Sequence, residues 1–144
     1  MKIGEVSMDI KEKIKYFYEY VSTNNLMDEF PKYISDNCTI RFGENVMPVG
    51  IDGMKQHQLD VRKTYPEMKI KVIRQYCDGD YVISEIVAEA LHLGEWLGMK
   101  PTGKKLIFTG VNIDKIADGK IIEHGGALNT FETLFEAKII QPAP

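Results

Sequence analysis

The stretch KKLIFTGVNIDKIADGKIIEHGGAL, from Lys104 to Leu128, decides which fold this sequence can adopt. Apolar and polar residues alternate with a period of two on both sides of the pair Asp118-Gly119, which is a common hairpin turn. The pattern therefore predicts two long antiparallel strands joined by a tight turn. Two adjacent glycines, Gly125 and Gly126, fall inside the second strand, where glycine often marks a bulge or a close approach of another group.

The length of the hairpin loop determines which residues of the two strands face each other. We expect a three-residue loop at residues 117–119, which places Asn112 opposite His124 and Gly110 opposite Gly126. A two-residue loop would shift the register and reverse that relation. The three-residue loop is preferred because it directs a set of apolar residues inward, namely Leu106, Phe108, Ile122 and Leu128.

The rest of the chain places helices before strands. Apolar residues recur every three or four positions in residues 9–22 and 50–65, whereas residues 67–93 alternate with a period of two. A closing helix is expected at residues 129–139, with Asn129 as its N-cap. Helices followed by an antiparallel meander predict an α+β fold, in which the helices pack on one face of a curved sheet.

The sheet face that the helices leave free is also apolar. In the predicted register it carries Ile107, Val111 and Ile113. A large apolar face of this kind indicates an interaction surface. We therefore expect a homodimer formed through the outer sheet face, since a second copy of the chain is the simplest cover.

Composition argues against several classes of partner. The 144 residues are 44% hydrophobic and 27% charged, with a formal net charge of −3 and basic residues scattered among acidic ones. This argues against binding to nucleic acid and to an anionic membrane surface. Residues 1–13 lack the apolar run of a signal peptide, and glutamates interrupt the most apolar window, residues 81–93. Cys38 and Cys77 are far apart in sequence, so we expect a cytoplasmic protein with reduced thiols.

Two pieces of the sequence resemble a known family. They are HLGEWLGMKPTGKK, from His92 to Lys105, and FTGVNIDKIADGKIIEH, from Phe108 to His124. Together with the helical pattern at residues 50–68, they resemble the SnoaL-like polyketide cyclase family of the nuclear transport factor two-like superfamily. The resemblance covers roughly residues 9–138 and implies one domain, residues 1–144. The fold it implies is a cone-shaped α+β barrel, with helices on the concave face of a curved, mostly antiparallel sheet.

The resemblance also implies a deep apolar pocket between sheet and helices. In the cyclases of this family a pocket aspartate is the general acid/base for an intramolecular aldol closure, without a metal or an organic cofactor. This chain departs from that pattern at three positions. Gly126 stands where the family often has the carboxylate, Asn112 where the cyclases have a histidine, and Phe42 near a polar position of the early strand. Of the expected polar set, only His124 is in place.

His124 is the strongest candidate for a catalytic residue. In the predicted register it shares a face with Asn112, whose amide could orient the imidazole or bind a substrate carbonyl group. The ordinary pKa of a histidine, about 6.5, suits proton transfer at neutral pH. The alternative is a core histidine that is satisfied by one hydrogen bond and catalyses nothing, and the sequence supports both interpretations equally.

A ligand-binding wall is predicted from residues on several elements, namely Phe42, Met54, His57, Trp96, Phe108 and Gly126. His57 would supply a polar part, although a partly exposed surface histidine explains it as well. Trp96 would stack on a planar ligand at the pocket edge or bury itself under its own loop.

Asp114 points inward and could be a relocated acid, but its place near the hairpin favours solvent exposure. The adjacent glycines would enlarge the cavity, form a β-bulge, or do both.

The sequence leaves three functional interpretations open. The first is a cofactor-independent cyclase or isomerase that acts on an apolar carbonyl compound in an enclosed pocket, with His124 as acid/base and Asn112 polarising the carbonyl group. The second is a non-catalytic protein of the same fold that binds a small apolar molecule. The third is a dimerisation module whose own side chains fill the cavity. No metal site is expected, because the three histidines lack a metal-binding spacing, and the resemblance implies that no cofactor is needed.

Overall fold

A computed structural model describes residues 9–144. Residues 1–8, part of the stretch in which no signal peptide is expected, lie outside the described residues. The elements are, in chain order, α1 (Ile10–Tyr16), a π-helical segment (Phe17–Ser22), a 3-10 helix (Met27–Lys32), β1 (Ile34–Phe42), β2 (Asn45–Pro48), α2 (Gly50–Thr64), β3 (Lys69–Asp78), β4 (Tyr81–Leu91), β5 (Lys105–Ala117), β6 (Lys120–Leu128) and α3 (Thr130–Glu136). In this part of the chain, no helix has the length and apolar character needed to cross a membrane.

The six strands form one curved sheet in the order β2-β1-β6-β5-β4-β3. Neighbouring strands are antiparallel except β1 and β6, which run parallel. The strands β2 and β3 are edges, so the sheet does not close on itself. The first helix packs against β3 and β4, α2 against β1, and α3 against β5. The predicted α+β fold, with helices packed on a mostly antiparallel sheet, is confirmed.

The hairpin between β5 and β6 differs from the prediction. Its loop has two residues, Asp118 and Gly119, with φ angles of 50° and 73°, and Ala117 pairs with Lys120. Two left-handed residues give a turn whose twist matches the right-handed twist of the strands, and this favours two loop residues over three.

A β-bulge follows the turn and sets the register of the longer part of the hairpin. The pairing shifts between Lys115 and Ile116, opposite one extra residue on β6, Ile122. Because the loop has two residues, Ile121 faces the core and is buried, whereas the prediction had Ile122 facing inward; the extra residue then brings His124 opposite Asp114. The pairs beyond the bulge are Gly110–Leu128, Asn112–Gly126 and Asp114–His124. The predicted opposition of Asn112 to His124, and of Gly110 to Gly126, is therefore wrong by two residues.

The ends of the helices follow the sequence only in part. Asp9 caps α1, because its side chain accepts a hydrogen bond from the Lys11 N–H group (3.3 Å). Asn129 occupies the N-cap position of α3 without a capping hydrogen bond, and its amide instead donates to Glu132 (3.1 Å).

The apolar stripe predicted for the first helix is confirmed by its packing in the core, and it consists of Ile10, Ile14, Phe17 and Val21.

The core consists of two apolar clusters on the inner face of the sheet. The first core cluster lies between the N-terminal helices, β1 and the hairpin end of the sheet, and it includes Ile14, Val21, Met54, Val82, Ile86 and Ile121. The second core cluster lies under α3 and the far end of β5, and it consists of Met68, Ala88, Ala90, Leu106, Phe108 and Leu134. Burial of a large apolar side chain contributes about 1.5–3 kcal/mol, so these clusters supply the main stabilisation of the fold.

The outer face of the sheet carries the apolar residues predicted for it. Ile107 is 53% exposed, Ile113 is 40% exposed, and Val111 is half-buried. Ion pairs lie beside them on the same face, namely Arg74–Glu85 and Lys105–Glu89. An apolar centre with charged surroundings thus faces outward.

Candidate functional site

Polar side chains separate the two core clusters. On α2, His57 comes three residues after Met54 of the first core cluster and four before Val61, which packs against the second. On β5, Asn112 and Asp114 occupy the inward positions between Phe108, which belongs to the second core cluster, and Ile116, which packs against the first. Together with their neighbours on α2 and β6 they form what we call the polar belt, defined as His57, Gln58, Asn112, Asp114 and His124.

The tightest polar contacts of the belt join Asp114, His124 and Tyr18. His124 Nδ1 lies 2.6 Å from Asp114 Oδ1, and the Tyr18 hydroxyl donates to Asp114 Oδ2 at 2.5 Å. Tyr18 Oη also lies 3.3 Å from His124 Nδ1. Asp114 is fully buried, whereas the side chain of His124 is 21% exposed. The three residues therefore form a buried cluster of which His124 is the member that reaches solvent.

The burial of Asp114 corrects a prediction. Its place near the hairpin suggested solvent exposure, but the Tyr18 hydroxyl from the helical layer and the imidazole from β6 cover both of its oxygens. A buried carboxylate of this kind is tolerated because each oxygen accepts a hydrogen bond.

The partners of His124 determine where its protons reside. A carboxylate only accepts hydrogen bonds, so Nδ1 carries a proton and donates it to Asp114. In the neutral imidazole, Nε2 is then the free acceptor, and in the imidazolium it is a second donor. Asp114 thus holds one nitrogen in place and leaves the other available for proton exchange with a bound molecule.

The same contacts shift the ionisation of the cluster. Burial alone lowers the pKa of His124, but the charge of Asp114 and its hydrogen bond raise that pKa above its ordinary value. Burial raises the pKa of Tyr18 well above its usual range, and the charge and hydrogen bond of Asp114 raise it further. Burial and then the charge of Asp114 raise the pKa of the Cys38 thiol to about 11. At neutral pH, Tyr18 and Cys38 are therefore uncharged, and the imidazole is the group of this set that titrates.

A π-helical turn holds Tyr18 in this cluster. The Thr23 N–H group and hydroxyl both donate to the Tyr18 carbonyl oxygen, at 3.3 and 3.0 Å, which closes the wide turn. Such turns are rare and frequently occur at functional sites. Sequence reasoning missed Tyr18, although its spacing of four from Ile14 and three from Val21 places it on the buried side of the helix. A buried tyrosine hydroxyl usually has a hydrogen-bond partner, and that was the available signal.

The other predicted polar residues lie in the belt but not in the cluster. Asn112 pairs with Gly126 on β6, one inward position away from Asp114 and His124. It is half-buried, and its side chain forms no hydrogen bond with any of residues 9–144. His57 is exposed at the surface of the belt, where burial on its inner side and the charge of His124 lower its pKa.

The apolar residues predicted for the ligand-binding wall lie in different surroundings. Met54 and Phe108 are buried in the first and second core clusters. Phe42 is 58% exposed at the end of β1, two residues beyond Ile40, which pairs with His124. Trp96 is exposed in the loop after β4, where it forms a short bridge with Met99. Their contacts with a ligand stay predictions.

The adjacent glycines differ in the space around them. Gly126 has a φ of 126°, and a Cβ atom there would lie 2.0 Å from the Val111 carbonyl oxygen. A Cβ at Gly125 would meet nothing closer than 3.6 Å. Gly126 therefore permits a backbone conformation that brings β6 close to β5, and the enlargement of a cavity by the two glycines stays a prediction.

Two cavities of the described residues lie away from the cluster. One, of about 370 Å³, lies beside Arg62 and Met68, and another, of about 290 Å³, lies beside Tyr81 and Ile116. Neither is lined by His124, so the enclosed pocket stays a prediction. Within residues 9–144, no three His, Cys, Asp or Glu side chains are arranged to hold a metal ion.

Comparisons with known structures agree on the fold. A proposed polyketide cyclase from Acidithiobacillus ferrooxidans is 17% identical, with a TM-score of 0.81 over 96% of this chain and 98% of the other. IdmH, a proposed polyketide cyclase from Streptomyces antibioticus, is 22% identical, with a TM-score of 0.76 over 88% and 96%. AclR, a proposed hydroxylase from Streptomyces galilaeus, is also 22% identical, with a TM-score of 0.78 over 96% and 87%. Such identities show a common fold and leave the reaction open.

The family is established by the sequence match. Among curated proteins, none matches this sequence. The family model of the SnoaL-like polyketide cyclases matches residues 12–135, which include the helical layer, the whole sheet and most of α3. The chain belongs to the SnoaL-like polyketide cyclase family.

Proposed function

We propose that this protein is a cofactor-independent enzyme that performs acid/base chemistry on an apolar carbonyl compound, as a cyclase or an isomerase. The observation that carries the proposal is the 2.6 Å contact between Asp114 Oδ1 and His124 Nδ1. It orients a partly exposed imidazole toward the inner side of the sheet and leaves Nε2 free. A carboxylate behind a histidine is a common way to position a general acid or base.

His124 would exchange a proton with the substrate through Nε2. The charge and hydrogen bond of Asp114 outweigh burial and raise the pKa of His124 above its ordinary value, which favours the imidazolium as a proton donor. The Asn112 amide, unpartnered and one inward position away, would donate a hydrogen bond to the substrate carbonyl oxygen. Asp114 would stabilise the imidazolium, as a positioning residue.

The surroundings of the belt favour an apolar substrate. The first and second core clusters flank the belt on either side, so a molecule held against His124 would contact apolar side chains beyond its carbonyl group. The predicted wall residues Phe42, Met54, Phe108 and Trp96 would supply some of these contacts. Because the reacting carbon of a ketone is activated by its carbonyl group alone, this chemistry requires no cofactor.

Hydrogen exchange into a simple ketone tests the proposal. The wild-type protein should accelerate deuterium incorporation next to the carbonyl group of 2-tetralone in D₂O, and His124→Gln should lower that rate by about 100-fold or more. His92→Gln is the matched control, because His92 is buried outside the belt and contacts Thr102 (3.1 Å). Equal rates in wild type and His124→Gln, with both proteins folded, would contradict the assignment of His124.

A non-catalytic binding protein is the second candidate. It is favoured by Gly126 and Asn112, which carry no ionisable group at the two positions where the family resemblance implies an aspartate and a histidine. Under this alternative, 2-tetralone would raise the melting temperature without any exchange.

We also propose that the protein is a homodimer joined through its outer sheet face. The exposure of Ile107 and Ile113 at the centre of that face supports the proposal, because monomeric proteins rarely expose contiguous apolar patches.

A further inference from the structure

A second histidine lies on the opposite side of the polar belt from His124. His57 is on α2, which packs on β1, and Ile40 of β1 pairs directly with His124. Both histidines lie at the level where the two core clusters separate. The helical layer and the sheet therefore each carry one imidazole at this level, close enough for the charge of His124 to act on His57.

The surroundings of the two imidazoles differ in charge. His124 contacts the buried carboxylate of Asp114, whereas His57 has no such contact. Burial lowers the pKa of His57, the charge of His124 lowers it further, and Asp60 on the same helix opposes these effects. The pKa of His124 moves upward. Two titratable groups whose surroundings move their pKa values apart are suited to act as base and acid in one site.

The remaining ionisable groups do not supply an alternative partner. Tyr18, Cys38 and Asp114 face His124 from the π-helical segment, β1 and β5, and the first two stay protonated at neutral pH. The charged side chains on the elements packed against α2 are Asp28, Glu29 and Lys32 on the 3-10 helix and Asp36 and Arg41 on β1. Among the described residues, His124 and Asp60 are the groups whose charges shift the pKa of His57.

We propose that His57 is a second catalytic residue, and that His57 and His124 hold one carbonyl compound between them as base and acid. This inference rests on the proposed function and adds the residue that removes the proton. It also specifies the substrate class as a ketone or aldehyde with a hydrogen on the neighbouring carbon.

The reaction is an enolisation that balances without a co-reactant. Neutral His57 takes the proton from the carbon next to the carbonyl group, and the C–H electron pair forms a carbon–carbon double bond. The carbonyl π pair moves to oxygen, which receives the Nε2 proton of the His124 imidazolium. One proton leaves the substrate and one enters it, so the enol is neutral and the positive charge passes from His124 to His57. Attack of the enol carbon on a second carbonyl group would close a ring, and reprotonation at another carbon would give an isomer.

The first test measures the coupling of the two histidines without any substrate. Histidine NMR signals are followed from acid to alkaline pH in wild type, His57→Gln and His124→Gln, with His92 as an internal reference signal. Loss of either partner should raise the pKa of the remaining histidine of the pair, because like charges repel. If neither pKa changes when the partner is removed, the two residues do not face each other and the proposal is overturned, whatever the activity.

The second test separates this proposal from the proposed function. His57→Gln should lower the 2-tetralone exchange rate by about 100-fold. Lys63→Gln on the same helix is the control for altered surface charge and should exchange like wild type. Exchange in wild type that His57→Gln leaves unchanged would overturn the role of His57 and leave the proposed function standing. Absence of exchange in the wild type would overturn the proposed function, while the NMR measurement still decides whether the pair exists.

Discussion

Asp114 and His124 face each other on neighbouring strands, and a hydrogen bond of 2.6 Å joins the carboxylate to Nδ1. The resemblance to the cyclases placed an aspartate and a histidine at Gly126 and Asn112, which are the next inward pair of the same two strands. Asp114 thus lies one pair nearer to the hairpin than the expected aspartate and on the other strand, opposite His124, which the resemblance places in the polar set. This relation is the physical basis for the account of the site.

The ion pair should make stability depend on pH. The folded-state pKa of His124 is raised, so its contribution is fully present below the unfolded value of about 6.5 and is lost as pH rises through the folded value. The free energy of unfolding of wild type relative to His124→Gln should therefore decrease as pH rises from mildly acidic to mildly alkaline. Urea unfolding at several pH values measures this difference, and a difference that is constant or grows with pH would contradict the ion pair.

The Tyr18 hydroxyl should stabilise the fold through Asp114. Tyr18→Phe leaves a buried carboxylate oxygen without its donor, which should cost about 1–3 kcal/mol. Tyr16→Phe, on the exposed side of the same helix, should change the free energy of unfolding by less than about 0.5 kcal/mol. Equal effects of the two substitutions in urea unfolding would show that the hydroxyl has no special partner.

The adjacent glycines should respond very differently to alanine. Gly126→Ala places a Cβ atom 2.0 Å from the Val111 carbonyl oxygen in a conformation with positive φ, so it should destabilise the protein by about 2 kcal/mol or more. Gly125→Ala meets no contact shorter than 3.6 Å and should be close to neutral. Thermal unfolding of the two variants measures the contrast, and similar melting temperatures would refute the close approach of the strands.

The outer sheet face should be the surface that joins two copies. Sedimentation at micromolar concentration should show a dimer for wild type and a monomer for Ile113→Lys, because the substitution puts a charge at the centre of the apolar face. Leu97→Lys, at a more exposed position in the loop after β4, is the control and should stay dimeric. A wild-type monomer, or dimers in both variants, would exclude this face.

The sequence predicts the fold well because periodicity depends on which side of each element is buried. Alternation in β5 and the spacing of Ile14, Phe17 and Val21 both report burial directly, and both predictions hold. The short strand β2 was not predicted, because its residues are all exposed and show no alternation of buried and exposed positions.

The site was less predictable because it depends on register and on distant contacts. A β-bulge at Ile122 shifts the register of β6 against β5, and the alternation of apolar and polar residues does not reveal this shift. The partner of Asp114 is Tyr18, which is 96 positions away in the sequence and belongs to a π-helical turn without a clear sequence signature. Local position therefore suggested exposure, whereas the tertiary contact buries the carboxylate.

The most direct test of the account is the pH dependence of deuterium exchange into 2-tetralone by wild type and Asp114→Asn. In wild type, the rate should fall as pH rises through the raised pKa of His124, because the imidazolium is the acid. Without the carboxylate, burial alone acts on His124, so the fall should move to lower pH and the maximum rate should decrease. A profile of the same shape and position in both proteins would show that Asp114 does not control the proton of His124 and would contradict the central claim.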